Sequence, residues 1–87
     1  MISEKQQLVI EGLKNADFSL SASYKKVFGS KRNESAYNSA YRMTENQEIR
    51  EAIFFYLNRL DKSQFTTNQQ IQFDAFHLYL FQKELSA

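Results

Sequence analysis

The sequence predicts an all-α fold, a small helical bundle of about five helices. The 87 residues include no proline and two glycines, so few residues interrupt helices. Apolar residues recur at helical spacing in successive segments along the chain. At three segment starts, Ser or Thr stands three residues before Gln, which is the spacing of a capping box.

Composition indicates one folded domain. Apolar residues make up 43% of the chain and aromatic residues 15%, which is too much apolar surface for a disordered segment. The length fits a single small core. Without cysteine, disulfides and thiolate metal sites are excluded. The apolar run Ile53–Leu57 is too short to span a membrane, and no signal peptide is recognised, so we expect a cytoplasmic protein without a membrane partner.

The first helix is predicted over Ser3–Asn15. Ser3 and Gln6 have capping-box spacing at its start. Gly12 lies inside this helix, where glycine lowers helix propensity by about 1 kcal/mol relative to alanine. We therefore expect Gly12 to mark the close approach of a neighbouring helix.

The second and third helices are predicted on either side of a glycine. Ser19 is expected to cap a helix that runs through Phe28, and Gly29 then stands where a left-handed residue commonly ends a helix. The third helix is predicted over Asn33–Met43. Its buried stripe contains Ala36, Ala40 and Met43.

The fourth and fifth helices are predicted from two further capping boxes. Thr44 with Gln47 is expected to start the fourth helix, and Thr66 with Gln69 the fifth. A connection at Lys62–Gln64 separates them. The fourth helix has its apolar positions at Ile49, Ile53, Tyr56, Leu57 and Leu60.

Apolar residues cover two faces of the last helix, which is more than docking on four helices requires. Either one face binds another chain, or the helix crosses the bundle centre and is buried by its own domain. Residues 61–87 are therefore assigned to core completion or oligomerisation. The predicted oligomer or partner interface consists of Phe54, Phe55, Phe73, Phe76, Leu80 and Phe81.

The net charge of +1 hides an uneven distribution. Residues 19–44 contain five basic residues and one acidic residue, which gives this segment a charge of +4. Residues 45–51 have a charge of −2, and the remaining segments are close to neutral. The basic excess is therefore confined to the predicted second and third helices and the turn between them.

Two short helices joined by a glycine-containing turn are typical of a helix-turn-helix, whose second helix enters the DNA major groove. Residues 1–60 are therefore predicted to form a helix-turn-helix DNA-binding domain with a supporting helix. Basic residues would bind phosphates, and the exposed side of the third helix would read bases. The predicted contacts to double-stranded DNA are Lys25, Lys26, Ser30, Lys31, Arg32, Asn33, Tyr37, Asn38, Tyr41 and Arg42.

Simpler interpretations exist for the same residues. A lysine and arginine cluster is also typical of a solvated helix face. Tyr37 and Tyr41, one helical turn apart, are also typical of half-buried packing residues.

A series of spaced residues also lies within residues 3–57. It consists of Lys5–Gln6, Ser19, Ala22, Tyr24–Gly29, Ser35–Ala36, Ala40, Arg42–Met43, Asn46, Ile49 and Ile53. This series resembles the small subunit of tailed-bacteriophage terminases. The resemblance implies a helix-turn-helix domain that recognises the viral packaging site in the bacterial host cytoplasm. It also implies a homo-oligomer that delivers phage DNA to the terminase large subunit, which is the motor and nuclease.

No catalytic, cofactor or metal site is expected. The sole histidine, His77, lies in an apolar helix, and no cysteine nucleophile or phosphate-binding glycine loop is present. Glu45, Glu48 and Glu51 have the position of N-terminal helix charges, which the helix dipole favours. We therefore expect a protein that is not an enzyme.

Two alternatives to a packaging subunit stay open. The first is a helix-turn-helix transcriptional regulator of a phage or mobile element. The second is a helical protein-interaction module that does not bind DNA.

Overall fold

The fold is an all-α bundle, as the sequence predicts. The computed structural model describes residues 1–29 and 32–86, and this part of the chain contains helices and no strand. The helices are α1 (Glu4–Glu11), α2 (Leu20–Phe28), α3 (Asn33–Met43), α4 (Gln47–Asn58) and α5 (Thr67–Ser86). Short 3-10 helices lie at Lys14–Ala16 and Lys62–Gln64.

The helices enclose one hydrophobic core. Helix α1 packs on α2 and α4, α2 packs most extensively on α3, and α4 packs on α5. The radius of gyration is 12.3 Å, close to the ~12 Å expected for one domain of this length. Residues 1–60 and 61–87 both contribute to the core, so α5 completes it. The core residues are Val9, Ile10, Leu13, Phe18, Leu20, Ala40, Met43, Ile49, Ile53, Leu57, Phe73, Phe76 and Leu80.

Local sequence signals define the starts of α1, α2 and α5. The predicted capping box at Ser3 is confirmed, because its side chain accepts from the Gln6 amide and its own amide donates to the Gln6 side chain. Thr66 and Gln69 form the same reciprocal pair before α5. Ser19 accepts from the Ala22 amide at 3.3 Å and caps α2.

The first helix is shorter than predicted. It ends at Glu11, and the chain then forms the 3-10 helix at Lys14–Ala16. Asp17 and Phe18 follow with φ angles of 52° and 62°, in the left-handed region that ends a helix. The Phe18 ring is buried against Phe65 and Phe73, with centroids 5.1 and 5.3 Å away. A tertiary contact therefore stabilises this turn, and helical spacing alone could not reveal it.

The predicted cap of α4 is wrong. Asn46, not Thr44, accepts from the Glu48 amide, so α4 begins two residues later than a Thr44 cap would place it. Thr44 is buried, where its hydroxyl donates to the Tyr41 carbonyl at 2.6 Å and lies 2.9 Å from the Tyr79 hydroxyl. Its hydroxyl is satisfied by α3 and α5 rather than by the start of α4.

Gly12 marks a close helix approach, as predicted. A Cβ atom at this position would lie 2.9 Å from the Ser23 hydroxyl oxygen. That hydroxyl is buried and donates to the Val9 carbonyl at 2.5 Å, so it cannot move away without losing its acceptor. The glycine therefore allows α1 and α2 to pack together.

Arg50 is a buried cation that links three segments. It is 3% exposed, and its Nε donates to Glu84 of α5 at 2.6 Å. Its Nη1 donates to the carbonyls of Thr44 and Glu45, at 2.8 and 2.9 Å. Arg50 thereby satisfies two backbone carbonyls of the α3–α4 connection and links this connection to the last helix.

Gly29 ends α2 with φ at +68°, and nothing lies within 4 Å of a Cβ built on it. We expect Gly29→Ala to lower the free energy of unfolding by about 1 kcal/mol, because only the left-handed backbone opposes the new methyl group. Gly29→Asn should lose less, since asparagine tolerates this conformation. Urea denaturation of both variants measures the effect, and equal losses would contradict the backbone explanation.

Candidate nucleic-acid interface

Helices α2 and α3 form the most closely packed helix pair of the described chain. Residues 29–32 connect them. The Lys25 ammonium, in the last turn of α2, donates to the Asn33 side-chain oxygen at the start of α3, at 2.6 Å. Small Ala36 and Ala40 are the buried residues of α3 along most of its length, so the two backbones can approach closely.

The outward face of α3 is polar. Asn38 lies opposite the buried alanines, with Glu34 and Arg42 one turn before and after it on the same face. All three side chains are exposed. This face therefore presents hydrogen-bonding groups to the surroundings without apolar residues among them.

Basic residues lie on α2 and α3 and directly before α3. Lys25 and Lys26 lie in the last turn of α2, Arg32 precedes α3, and Arg42 lies in the last turn of α3. All four are exposed, and Glu34 is the one acidic residue within α2 and α3. The predicted contacts at Ser30 and Lys31 lie outside the described residues.

The two tyrosines of α3 belong to an aromatic row that leads to α5. The rings of Tyr37 and Tyr41 are 4.5 Å apart, and Tyr41 packs edge-on to Tyr79 at 5.2 Å. Burial raises the pKa of Tyr41 above its ordinary value, and the nearby Tyr37 and Tyr79 hydroxyls raise this pKa by a smaller amount. Tyr41 is thus half-buried and packs against α5, which agrees with the packing interpretation, and its role as a base contact stays a prediction. Tyr37 stays exposed.

Three of the predicted interface residues are core residues. Phe73, Phe76 and Leu80 are buried on the inner side of α5, so the alternative of core completion is correct for them. Phe54 is half-buried beside His77, with ring centroids 5.4 Å apart. His77 also stacks on Phe73 at 6.0 Å, so this histidine packs against aromatic rings.

Phe55 and Phe81 remain at the surface, as an interface requires. Phe55 is 66% exposed on α4, and Phe81 is 51% exposed on α5. Phe81 belongs to an apolar outer face of α5. The exposed apolar residues on that face are Ile71, Leu78, Phe81 and Leu85.

A groove between α1 and α4 was not predicted from the sequence. It has a volume of about 790 Å³ and is lined by residues from both helices, among them Glu11, Ala52, Phe55 and Arg59. The Tyr56 hydroxyl joins its walls, since it accepts from the Lys14 amide at 3.2 Å and donates to the Glu11 carbonyl at 3.3 Å. Tyr56 is more than forty residues from both of these partners in sequence, so no local pattern indicates the groove.

Comparison of the chain with protein-family models, curated proteins and solved structures gives no match. Over residues 1–29 and 32–86, no group of three or more histidine, aspartate and glutamate side chains is placed to hold a metal ion. None of the helices in this described part is both long and apolar enough to cross a membrane.

Proposed function

We propose that this protein binds double-stranded DNA through α2 and α3, arranged as a helix-turn-helix. The observation that carries the proposal is the polar outer face of α3, together with four exposed cations on α2, on α3 and directly before α3. Lys26, Arg32 and Arg42 would bind phosphates, while Asn38 would read a base edge in the major groove. Lys25 would hold Asn33 in place at the start of α3.

The biological role within this proposal is that of a terminase small subunit. It rests on the sequence resemblance over residues 3–57, and its action would be to deliver phage DNA to the large subunit. Self-association is part of the same role, and the exposed Phe55 and Phe81 support it. Loss of DNA packaging, rather than of transcriptional control, in a phage lacking the protein would separate this role from that of a regulator.

The test of DNA binding is a double substitution, Lys26→Gln with Arg42→Gln. Both side chains are exposed, so the fold should be retained. If each binds one phosphate, affinity for mixed-sequence duplex DNA should fall about tenfold at moderate salt. The slope of log affinity against log salt should decrease by about two. Fluorescence anisotropy of labelled duplex over a salt series measures both quantities.

The matched control is Lys62→Gln with Lys83→Gln, which removes the same charge near and within α5. Lys62 lies over the Phe73 ring and Lys83 beside Glu45, and neither lysine belongs to α2 or α3. This control should leave affinity and slope close to those of the unsubstituted protein. Equal weakening by both double variants would show that binding follows net charge and not the α2–α3 surface.

A protein-interaction module is the second candidate function. The apolar outer face of α5 favours it, since contiguous apolar patches commonly mark protein contacts. Absence of DNA binding even at low salt, together with association to another protein, would favour this candidate over the first.

A further inference from the structure

The outward face of α4 has opposite charges at its two ends. Glu48 lies in the first turn, and Arg59 caps the C-terminal end. Between them lie Ala52, which is small, and Phe55, which is 66% exposed. Spacings of four, three and four residues place these side chains on one side of the helix. These four residues form a stripe that is acidic, small, large and basic in turn from the N-terminal to the C-terminal end of α4.

This stripe is complementary to an antiparallel copy of itself. The positions of Glu48 and Arg59 have the same midpoint as those of Ala52 and Phe55, between residues 53 and 54. A two-fold axis at that midpoint therefore faces Glu48 with Arg59 of a second copy, and Phe55 with Ala52 of a second copy. Both contacts occur twice. A parallel copy would instead face each carboxylate with a carboxylate.

The groove beside α4 provides space for the aromatic ring. Its volume is about 790 Å³, and Ala52 lies on its wall. Half-buried Ile2 and Leu60 add apolar surface to the lining. A phenylalanine from a second copy that covers Ala52 would therefore meet apolar walls that the Tyr56 hydrogen bonds already hold together.

Contacts within one chain do not oppose this pairing. The Glu48 carboxylate lies 2.9 Å from the Met1 amine, and the Arg59 guanidinium lies over the Phe55 ring at 5.3 Å. Both contacts are at the surface, where such interactions are weak. Glu11 and Glu51 also line the groove, and they accept hydrogen bonds from Gln7 and Gln47 of their own chain.

We propose that two copies of this protein pair through α4 in an antiparallel, two-fold symmetric manner. The proposal rests on the self-association part of the proposed function and names its surface. None of the four residues of the stripe belongs to α2 or α3, so the paired form leaves the proposed DNA surface open. One helix face is smaller than the ~800 Å² that each protein buries in a standard stable complex, so the pairing should be reversible.

The test reverses one charge of the stripe in each of two variants. Glu48→Arg and Arg59→Glu should each weaken dimerisation about tenfold or more, because each places like charges opposite one another twice. An equimolar mixture of the two variants should dimerise again, since every Arg then faces a Glu. Sedimentation velocity over a wide range of protein concentration measures the association, and circular dichroism verifies that both variants are folded.

Asp74→Arg, an exposed charge reversal on α5, is the matched control and should leave the dimer unchanged. A monomeric unsubstituted protein, a dimer that Glu48→Arg does not weaken, or a mixture that stays monomeric would each overturn the pairing. Loss of the dimer in Phe81→Ser with no effect of Glu48→Arg would assign association to α5 instead. Duplex binding by a strictly monomeric protein would overturn the pairing alone, whereas a dimer that binds no duplex would overturn the DNA proposal alone.

Discussion

Phe73→Ala is expected to lower the free energy of unfolding by about 3–5 kcal/mol, as measured by urea denaturation. Phe73 is 2% exposed, and its ring packs against Phe18 and Phe65, with centroids 5.3 and 5.4 Å away. Removal of the ring leaves a cavity where residues from three segments meet. For a domain of this size, such a loss is a large part of the whole stability.

Phe81→Ala is the matched control, because it removes the same side chain from the same helix. Phe81 is 51% exposed, so its removal should change the free energy of unfolding by less than about 1 kcal/mol. Similar losses for the two variants would contradict the assignment of Phe73 to the core and of Phe81 to the surface.

Arg50→Met is expected to lower the free energy of unfolding by about 3 kcal/mol. The substitution keeps an unbranched side chain of similar length, but it removes the donors to the Thr44 and Glu45 carbonyls and to Glu84. Loss of one member of a buried ion pair typically lowers stability by about 3–5 kcal/mol. The lower end applies here, because the Glu84 side chain is 37% exposed and water can solvate it.

Arg42→Met serves as the control for Arg50, since Arg42 is an exposed arginine at the end of α3. Its free energy of unfolding should change by no more than about 0.5 kcal/mol. A more apolar side chain can also stabilise a protein when it replaces a buried charge. Stabilisation by Arg50→Met would therefore show that the arginine is retained for specificity or function and not for stability.

The sequence predicted best those parts of the fold that local chemistry determines. The bounds of α2 and α3 follow from a serine cap, a left-handed glycine and helical spacing, and the structure agrees with them. Thr66 and Gln69 likewise start the last helix. Each of these signals involves residues no more than four positions apart, so it can be recognised in the sequence without knowledge of the tertiary structure.

The sequence failed where a residue depends on a distant segment. Thr44 has the spacing of a cap, but a contact with Tyr79, 35 residues away, buries it. Arg50 gave no signal, since Glu84 is 34 residues distant. The two apolar faces of α5 were recognised, but only the packed bundle shows that Phe73 is on the inner face.

For the candidate site, helical spacing alone was sufficient to identify the outward face of α3. The position of Asn38 opposite the buried alanines follows from the 100° rotation per residue. Spacing alone left Tyr41 open between a base contact and a half-buried packing residue, because its partial burial depends on Tyr79 of α5. The groove between α1 and α4 was likewise out of reach, as its walls come from opposite halves of the chain.

The left-handed turn at Asp17 and Phe18 makes the folding of the N-terminal two-thirds of the chain dependent on the C-terminal third. Two consecutive residues other than glycine in this conformation destabilise an isolated turn by about 1–2 kcal/mol each. The compensating contacts of the Phe18 ring come from Phe65 and Phe73, which lie beyond residue 60. A fragment that ends at residue 60 should therefore not fold autonomously, and the turn between α1 and α2 should form only when α5 packs against it.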